Sequence, residues 1–254
     1  MLILVTNDDG YLAKGLHSLV EVAKKFGEVY VVCPEKSASG LSHSITLNNP
    51  LRYKQIKFFN DVNFYICSGT PVDSVKLGLA KILPQKPNLI LSGINHGNNS
   101  AISCFYSGTV CAAMEGSING IHSIAFSLLD YSEDADFTAS KYYAEIIIKN
   151  VLNNLNKLPT KICLNINIPK ASLQEIKGIK VVRAAKGNWK EEFLERIDPA
   201  NNFYYWMTGN FNNFEENATD TDEWALKNNY IAIVPLLIDL TAYEYIDKLN
   251  YFNI

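Results

Sequence analysis

Positive charge is not in excess: 23 Lys and Arg stand against 26 Asp and Glu, a formal net charge of −3 over 254 residues. That balance supplies no basic face for tracking a nucleic-acid backbone. A phosphate ligand would have to be met locally, by a cation or by backbone N–H groups. No apolar run approaches the roughly 20 residues needed to span a bilayer. The apolar stretch at 2–6 is too short for a secretory signal and no basic segment precedes it. The five cysteines, Cys33, Cys67, Cys104, Cys111 and Cys163, are scattered and form no C-x-x-C pair. This argues against a zinc centre or a disulfide framework and for reduced, buried thiols. A cytoplasmic location is the expectation. No G-x-G-x-x-G follows the first apolar run, which disfavours a dinucleotide-dependent oxidoreductase. Internal repeats and low-complexity tracts are absent as well.

What is present is an alternation of short β-branched runs and helical patterns. Strands are expected at 2–6, 29–33, 63–67, 89–91, 124–128 and 162–166, with helices at 15–26, 110–118 and 139–155. A further helix opens at Thr70, a plausible N-cap with Pro71 at the first helical position and Asp73 at the third. Near-continuously apolar strands separated by helices predict an α/β fold, a Rossmann-like, mostly parallel sheet covered by helices on both faces. The composition changes after Arg183. Residues 187–228 are rich in Asn, acids and aromatics, with a strand expected at 203–207. A strand at 230–235 and a terminal helix at 241–249 follow. The chain therefore divides into a catalytic core at 1–183 and a C-terminal segment at 184–254: an extended arm or hairpin, a returning strand and a helix. The arm is suited to covering the site or to exchange with a second subunit, and a plain surface hairpin fits the sequence equally.

Polar residues collect in four places, each after an expected strand, where open α/β sheets bind ligands. Asn7-Asp8-Asp9-Gly10 follows the first strand. Two adjacent carboxylates there would repel a phosphate unless a cation lies between them, and oxygen donors suit a hard ion such as Mg²⁺, Mn²⁺ or Ca²⁺. The same four residues also make a good turn, and both readings stand. The small hydroxyl residues and glycine of 34–42, around Ser39-Gly40, follow the second strand and permit close backbone approach to an ion or anion, although taken alone the segment reads first as a solvated loop. In Ser92-Gly93-Ile94-Asn95-His96-Gly97-Asn98-Asn99, Asn95 and Asn98 offer amide oxygens to a cation or amide donors to phosphate. Tyr106-Ser107-Gly108-Thr109 opens a helix, whose free N–H groups and dipole form an anion site, while Ser107 or Thr109 caps it. His43 and His96, lone loop histidines, are left out of the catalytic set.

In order and spelling, N-D-D-G, S-A-S-G, S-G-I-N-H-G-N and Y-S-G-T-V-C-A-A-M-E-G resemble the SurE (survival protein E) family of nucleotidases. Glu195-Arg196-Ile197-Asp198-Pro199, Tyr204-Tyr205-Trp206 and Thr219-Asp220-Thr221-Asp222 extend the resemblance nearly to the end of the chain. It implies one divalent cation (Mg²⁺ or Mn²⁺) per subunit held by Asp8, Asp9, Ser39 and Asn95, and phosphate contacts from Asn98, Ser107, Gly108 and Thr109. It also implies hydrolysis of nucleoside 5′-monophosphates, often of 3′-monophosphates, and a homodimer or homotetramer that exchanges the C-terminal arm. Cys111 stands where the family usually has a second glycine, which bears on how the helix packs or how tightly phosphate is held.

The expected chemistry is metal-assisted phosphomonoester hydrolysis, with Asp8 or Asp9 orienting or deprotonating water and the helix start stabilising phosphoryl charge. An aspartyl-phosphate mechanism is disfavoured because Asn7 occupies the position its nucleophile would need. The alternative from another class is a nucleotide-binding sensor or scaffold without turnover.

Overall fold

The computed structural model describes residues 1–159 and 162–252, so the last two residues of the C-terminal segment lie outside the description. The core is a nine-stranded sheet. Its strands in chain order are β1 (Leu2–Thr6), β2 (Glu28–Pro34), β3 (Tyr53–Ile56), β4 (Asn63–Cys67), β5 (Leu89–His96), β6 (Ser123–Leu128), β7 (Cys163–Ile168), β8 (Gly178–Val181) and β11 (Tyr230–Leu236). A separate two-stranded ribbon pairs β9 (Gly187–Ile197) with β10 (Phe203–Asn213). The sheet order is β3-β4-β2-β1-β5-β6-β7-β11-β8, and from β4 to β7 every pairing is parallel.

Helices α1 (Lys14–Ala23), α2 (Pro71–Leu77), α3 (Gly108–Ile118) and α4 (Thr138–Asn153) cover the faces, with α5 (Asp222–Lys227) and α6 (Tyr243–Ile246) later in the chain. Alternation along the strands feeds both layers. Ile3 and Val5 of β1 join the core that includes Leu16 and Leu19 of α1 and Ile148 of α4, whereas Leu4 joins Val75 and Ala112 under α2 and α3. The same split places Leu89 and Leu91 of β5 on one side and Ile90 on the other. Each such fully buried aliphatic contributes about 1.5–3 kcal/mol through removal from water, so both layers are needed to hold β1 and β5 at the centre.

That centre matters for function. The chain winds outward from β1 through β2 to β4, then restarts at β5 beside β1 and winds the other way through β6 and β7. The carboxyl ends of β1 and β5 thus form the crevice where the strand order reverses. A register shift between Ser92 and Asn95 of β5 against β6 re-aims the end of β5 at this crevice.

The mostly parallel sheet with helices on both faces agrees with the expectation from sequence. Several details differ. β5 runs five residues beyond the expected 89–91, because the polar Ser92-Gly93-Ile94-Asn95-His96 run continues the strand while buried. β3 and β8 were not anticipated: both are four-residue elements with little burial, so neither leaves a periodic apolar signal. β11 enters the sheet between β7 and β8, antiparallel to β7. α5 lies within 187–228, where few residues repeat at helical spacing; its cap is Thr221, whose side chain accepts from Trp224 N. The terminal helix expected over 241–249 is one turn, α6, continued as a 3-10 segment at Asp247–Phe252.

Candidate functional site

The site grows out of the turn after β1. Asn7 Nδ2 donates to Gly10 O at 2.9 Å and closes that turn, so the local sequence makes a turn and presents two carboxylates at once. Ala38 N donates to Asp8 O at 2.7 Å, which draws the second loop, with Ser39, against the first. His96 N donates to Asp9 Oδ2 at 3.3 Å and joins the ends of β1 and β5.

The α3 N-terminus closes on Asp8 from the other side. Ser107 is the N-cap, its Oγ accepting from Val110 N at 3.1 Å. Thr109 Oγ1 donates to Asp8 Oδ1, and Thr109 N–H binds the same carboxylate. Both Thr109 donors are therefore committed to Asp8. Gly108 is required by this approach: a Cβ there would stand 2.8 Å from Asp8 Cβ and 3.0 Å from Asp8 Oδ2.

The two asparagines are oriented oppositely. Asn95 Nδ2 donates to Gly97 O at 3.1 Å, which leaves the amide oxygen as the end available to a cation. Asn98 Oδ1 accepts from Ser100 N at 2.8 Å, which leaves its NH₂ available to an anion. Asp8, Ser39, Asn95, Asn98 and Ser107 line one open cleft of about 250 Å³, with no lysine or arginine in its lining.

Burial, then the charge of Asp9, pushes the Asp8 carboxyl up to about 6, against the opposing pull of the Thr109 hydrogen bonds. Burial also raises Asp9, partly offset by the His96 N–H. Two desolvated carboxylates side by side without a basic partner are the arrangement a cation would relieve. Asn7 Oδ1, buried in the same turn, has no hydrogen-bond partner. Among the described residues no group of three or more His, Cys, Asp or Glu could hold a metal; the oxygen donors in the cleft lining are the Asp8 carboxylate, the Ser39 hydroxyl and the Asn95 amide, while Asp9 is outside that lining and is tied to it by the His96 N–H. An oxygen-only set of this kind fits a hard divalent ion and not zinc.

Several supporting residues were not read from sequence. Behind Asn98, Asn99 N donates to Asn167 Oδ1 (2.9 Å), Asn99 Nδ2 to Ser127 Oγ (2.8 Å) and Asn165 Nδ2 to Asn99 O (2.8 Å), all buried. Two asparagines alternating with isoleucine inside β7 were the available signal. Asp222, fully buried, accepts from Ala101 N (2.7 Å) and Ala185 N (2.8 Å). It thereby fixes the segment between Asn98 and Ser107 to the root of the ribbon. His43 Nε2 lies 3.0 Å from Glu115 Oε2, and Lys76 Nζ donates to Glu115 Oε1 at 3.0 Å. Burial alone would raise Glu115, but these partners and Asn119 hold it below its ordinary value. His43 thus braces the Ser39 loop on α3, outside the cleft lining. His96 lines the cleft, and its ring packs on Phe137 with centroids 4.9 Å apart. Cys111 lines a different, apolar cavity with Phe105 and Met114. Burial pushes its thiol up to about 12, so it carries almost no thiolate at neutral pH.

A family model described as Survival protein SurE matches residues 3–191. A protein named 5′-nucleotidase SurE from Flavobacterium johnsoniae is 50% identical over 254 residues, 100% of this chain and 97% of that protein. One of the same name from Phocaeicola vulgatus is 41% identical over 253 residues, again 100% of this chain and 97% of the relative. The crystal structure of the SurE protein from Aquifex aeolicus superposes with a TM-score of 0.85 at 40% identity, covering 100% of both chains. With its N-D-D-G turn, its four polar loops on one sheet edge and this similarity along its whole length, the chain belongs to the SurE family.

Proposed function

We propose that this chain is a 5′-nucleotidase: a divalent-metal-dependent phosphomonoesterase that hydrolyses nucleoside 5′-monophosphates, and 3′-monophosphates as well, to nucleoside and phosphate. The observation that carries the reading is the contact between the buried Asp8 carboxylate and the start of α3. It sets a cation-demanding group and an anion-accepting helix terminus in one cleft. The names of the full-length relatives point to the same reaction.

Asp8, Asp9, Ser39 and Asn95 would hold the ion, Mg²⁺ or Mn²⁺, one per subunit. A bound divalent ion would offset phosphate charge and lower the pKa of a nearby water. Asp8 or Asp9 would orient the attacking water and accept its proton. Asn98 Nδ2 and the Ser107 and Gly108 end of α3 donate to the phosphoryl oxygens as charge builds on them. Thr109 serves the same step by fixing Asp8, or by turning its hydroxyl to the phosphate once the cation is in place.

Asp8→Asn and Asp9→Asn should each lower kcat at least about 10³-fold with unchanged circular dichroism, as expected for groups acting in the transition state. Near-wild-type turnover in either variant would defeat its assignment.

We also propose a homodimer or homotetramer built through the C-terminal arm, in a protein without a nucleic-acid or membrane partner and located in the cytoplasm. Phe203, Tyr205, Trp206 and Met207 of β10 are each more than half exposed. Among the described residues no helix is long and apolar enough to cross a membrane. Light scattering should give a mass two or four times that of the chain, and a monomer at micromolar concentration would contradict the assembly.

A further inference from the structure

The cleft holds more than phosphate hydrolysis requires. Its lining includes the aromatic residues Tyr106 and Trp189 together with Asp8, Asn98 and Ser107. A cation, carboxylates and N–H donors suffice for the reacting phosphoryl group; an indole contributes nothing to that chemistry. Trp189 arrives from elsewhere in the chain, on β9 near the root of the ribbon. Its placement is built. Trp189 Nε1 donates to Ser103 Oγ at 3.3 Å, which ties the ring to the 3-10 turn (Ala101–Phe105) just before Ser107. Phe211, its register partner on β10, meets it at a centroid distance of 6.3 Å and 65°. Phe211 in turn packs on Gly187, where a Cβ would stand 2.4 Å from its ring. The indole is thus held by its Nε1–H and by a neighbouring ring, yet 37% of the residue remains exposed.

We infer that Trp189 is the specificity residue of this site, the surface on which the nucleobase of the substrate stacks, with Tyr106 as a second ring beside it. The inference rests on the phosphomonoesterase reading of the cleft. A planar base with a ribose spacer is what an aromatic wall next to a phosphate site recognises, and a free sugar phosphate gains nothing from it. Every base has a π-face, so stacking of this kind tolerates purines and pyrimidines alike. Trp189 therefore sets nucleotide over non-nucleotide phosphate esters, not one base over another.

The test compares Trp189→Ala, Trp189→Phe and wild type on adenosine and uridine 5′-monophosphates and on ribose 5-phosphate, with Mn²⁺ present. The expected result for Trp189→Ala is a KM raised about tenfold for both nucleotides, in line with alanine losses at stacking rings. Its kcat should stay within twofold of wild type, and its KM for ribose 5-phosphate should not change. Trp189→Phe keeps a ring and should restore most of the nucleotide KM. Equal changes on nucleotides and ribose 5-phosphate would make Trp189 a structural residue and overturn the inference, as would no change on either or a Phe variant as impaired as Ala. Wild-type protein that released phosphate from none of the three esters would instead remove the phosphomonoesterase reading, and this inference with it.

Discussion

Asp8 meets two opposed demands, because burial and the neighbouring Asp9 lift its carboxyl to about 6 from 3.8 while Thr109 binds the ionised form. Above pH 6 the metal-free folded protein holds a charge it disfavours. In the window from about 4 to 6 the folded state binds more protons than the unfolded one, so stability falls as pH rises through it. A shift of that size corresponds to at most about 3 kcal/mol at neutral pH. Asp8→Asn should therefore raise the Tm of EDTA-treated protein by several degrees at pH 7.5 and leave it unchanged at pH 4. Mn²⁺ should stabilise wild type more at pH 7.5 than at pH 5, and not stabilise the variant. Differential scanning fluorimetry reads all of these, and a variant less stable at pH 7.5 would refute the assignment of strain. Cys111 asks for no such account: it faces the apolar cavity, where a small side chain fits.

Among the elements, the closest fit is between the turn after β1 and the start of α3, and Gly108 is where they touch. Gly108→Ala would place a methyl 2.8 Å from Asp8 Cβ, 3.0 Å from Asp8 Oδ2 and 3.1 Å from Pro71 Cγ, all on short side chains with little room to move. The helix start and the carboxylate must then separate, and misplacement on that scale costs catalysis about 10²-fold. The variant should lose that much kcat and keep its far-UV circular dichroism; activity within a few-fold of wild type would contradict the fit described. The elements that carry groups at the cleft are legible in the sequence because each obeys a local rule. β1 is a short apolar run, Thr70 and Asp73 form the anticipated capping box of α2, and Ser107 caps α3. The elements that support those groups are not. α5 is six residues long and is set by its Thr221 cap and by contacts that Asp222 makes with Ala101 and Ala185, more than thirty residues away in sequence. Trp189 is equally silent in sequence, since only the fold of β9 against Ser103 brings it to the cleft.

Over the whole molecule, strand order does the assembling. Residues as far apart as Asp8, Ser39, Asn95 and Ser107 meet because β1 and β5 sit where the sheet reverses direction. The α/β class and the four polar loops could be read from one sequence, since strand ends are where such sheets place ligands. The position of β11 between β7 and β8 could not, because antiparallel insertion leaves no local trace. The ribbon and the segment after β11 expose large side chains that the core does not use, and the cavity of about 870 Å³ lined by Phe105, Met114 and Leu240 adjoins both. These are the surfaces the proposed assembly would cover.

The most direct test of the account is phosphate release from nucleoside 5′-monophosphates by protein stripped with EDTA, before and after Mg²⁺ or Mn²⁺ is restored. The account expects release to fall at least about 10²-fold on stripping and to return with the metal, consistent with an ion that stabilises developing charge. Release that survives complete stripping would contradict the metal-dependent mechanism. No release from folded protein under either metal would contradict the nucleotidase reading and leave a nucleotide-binding protein without turnover.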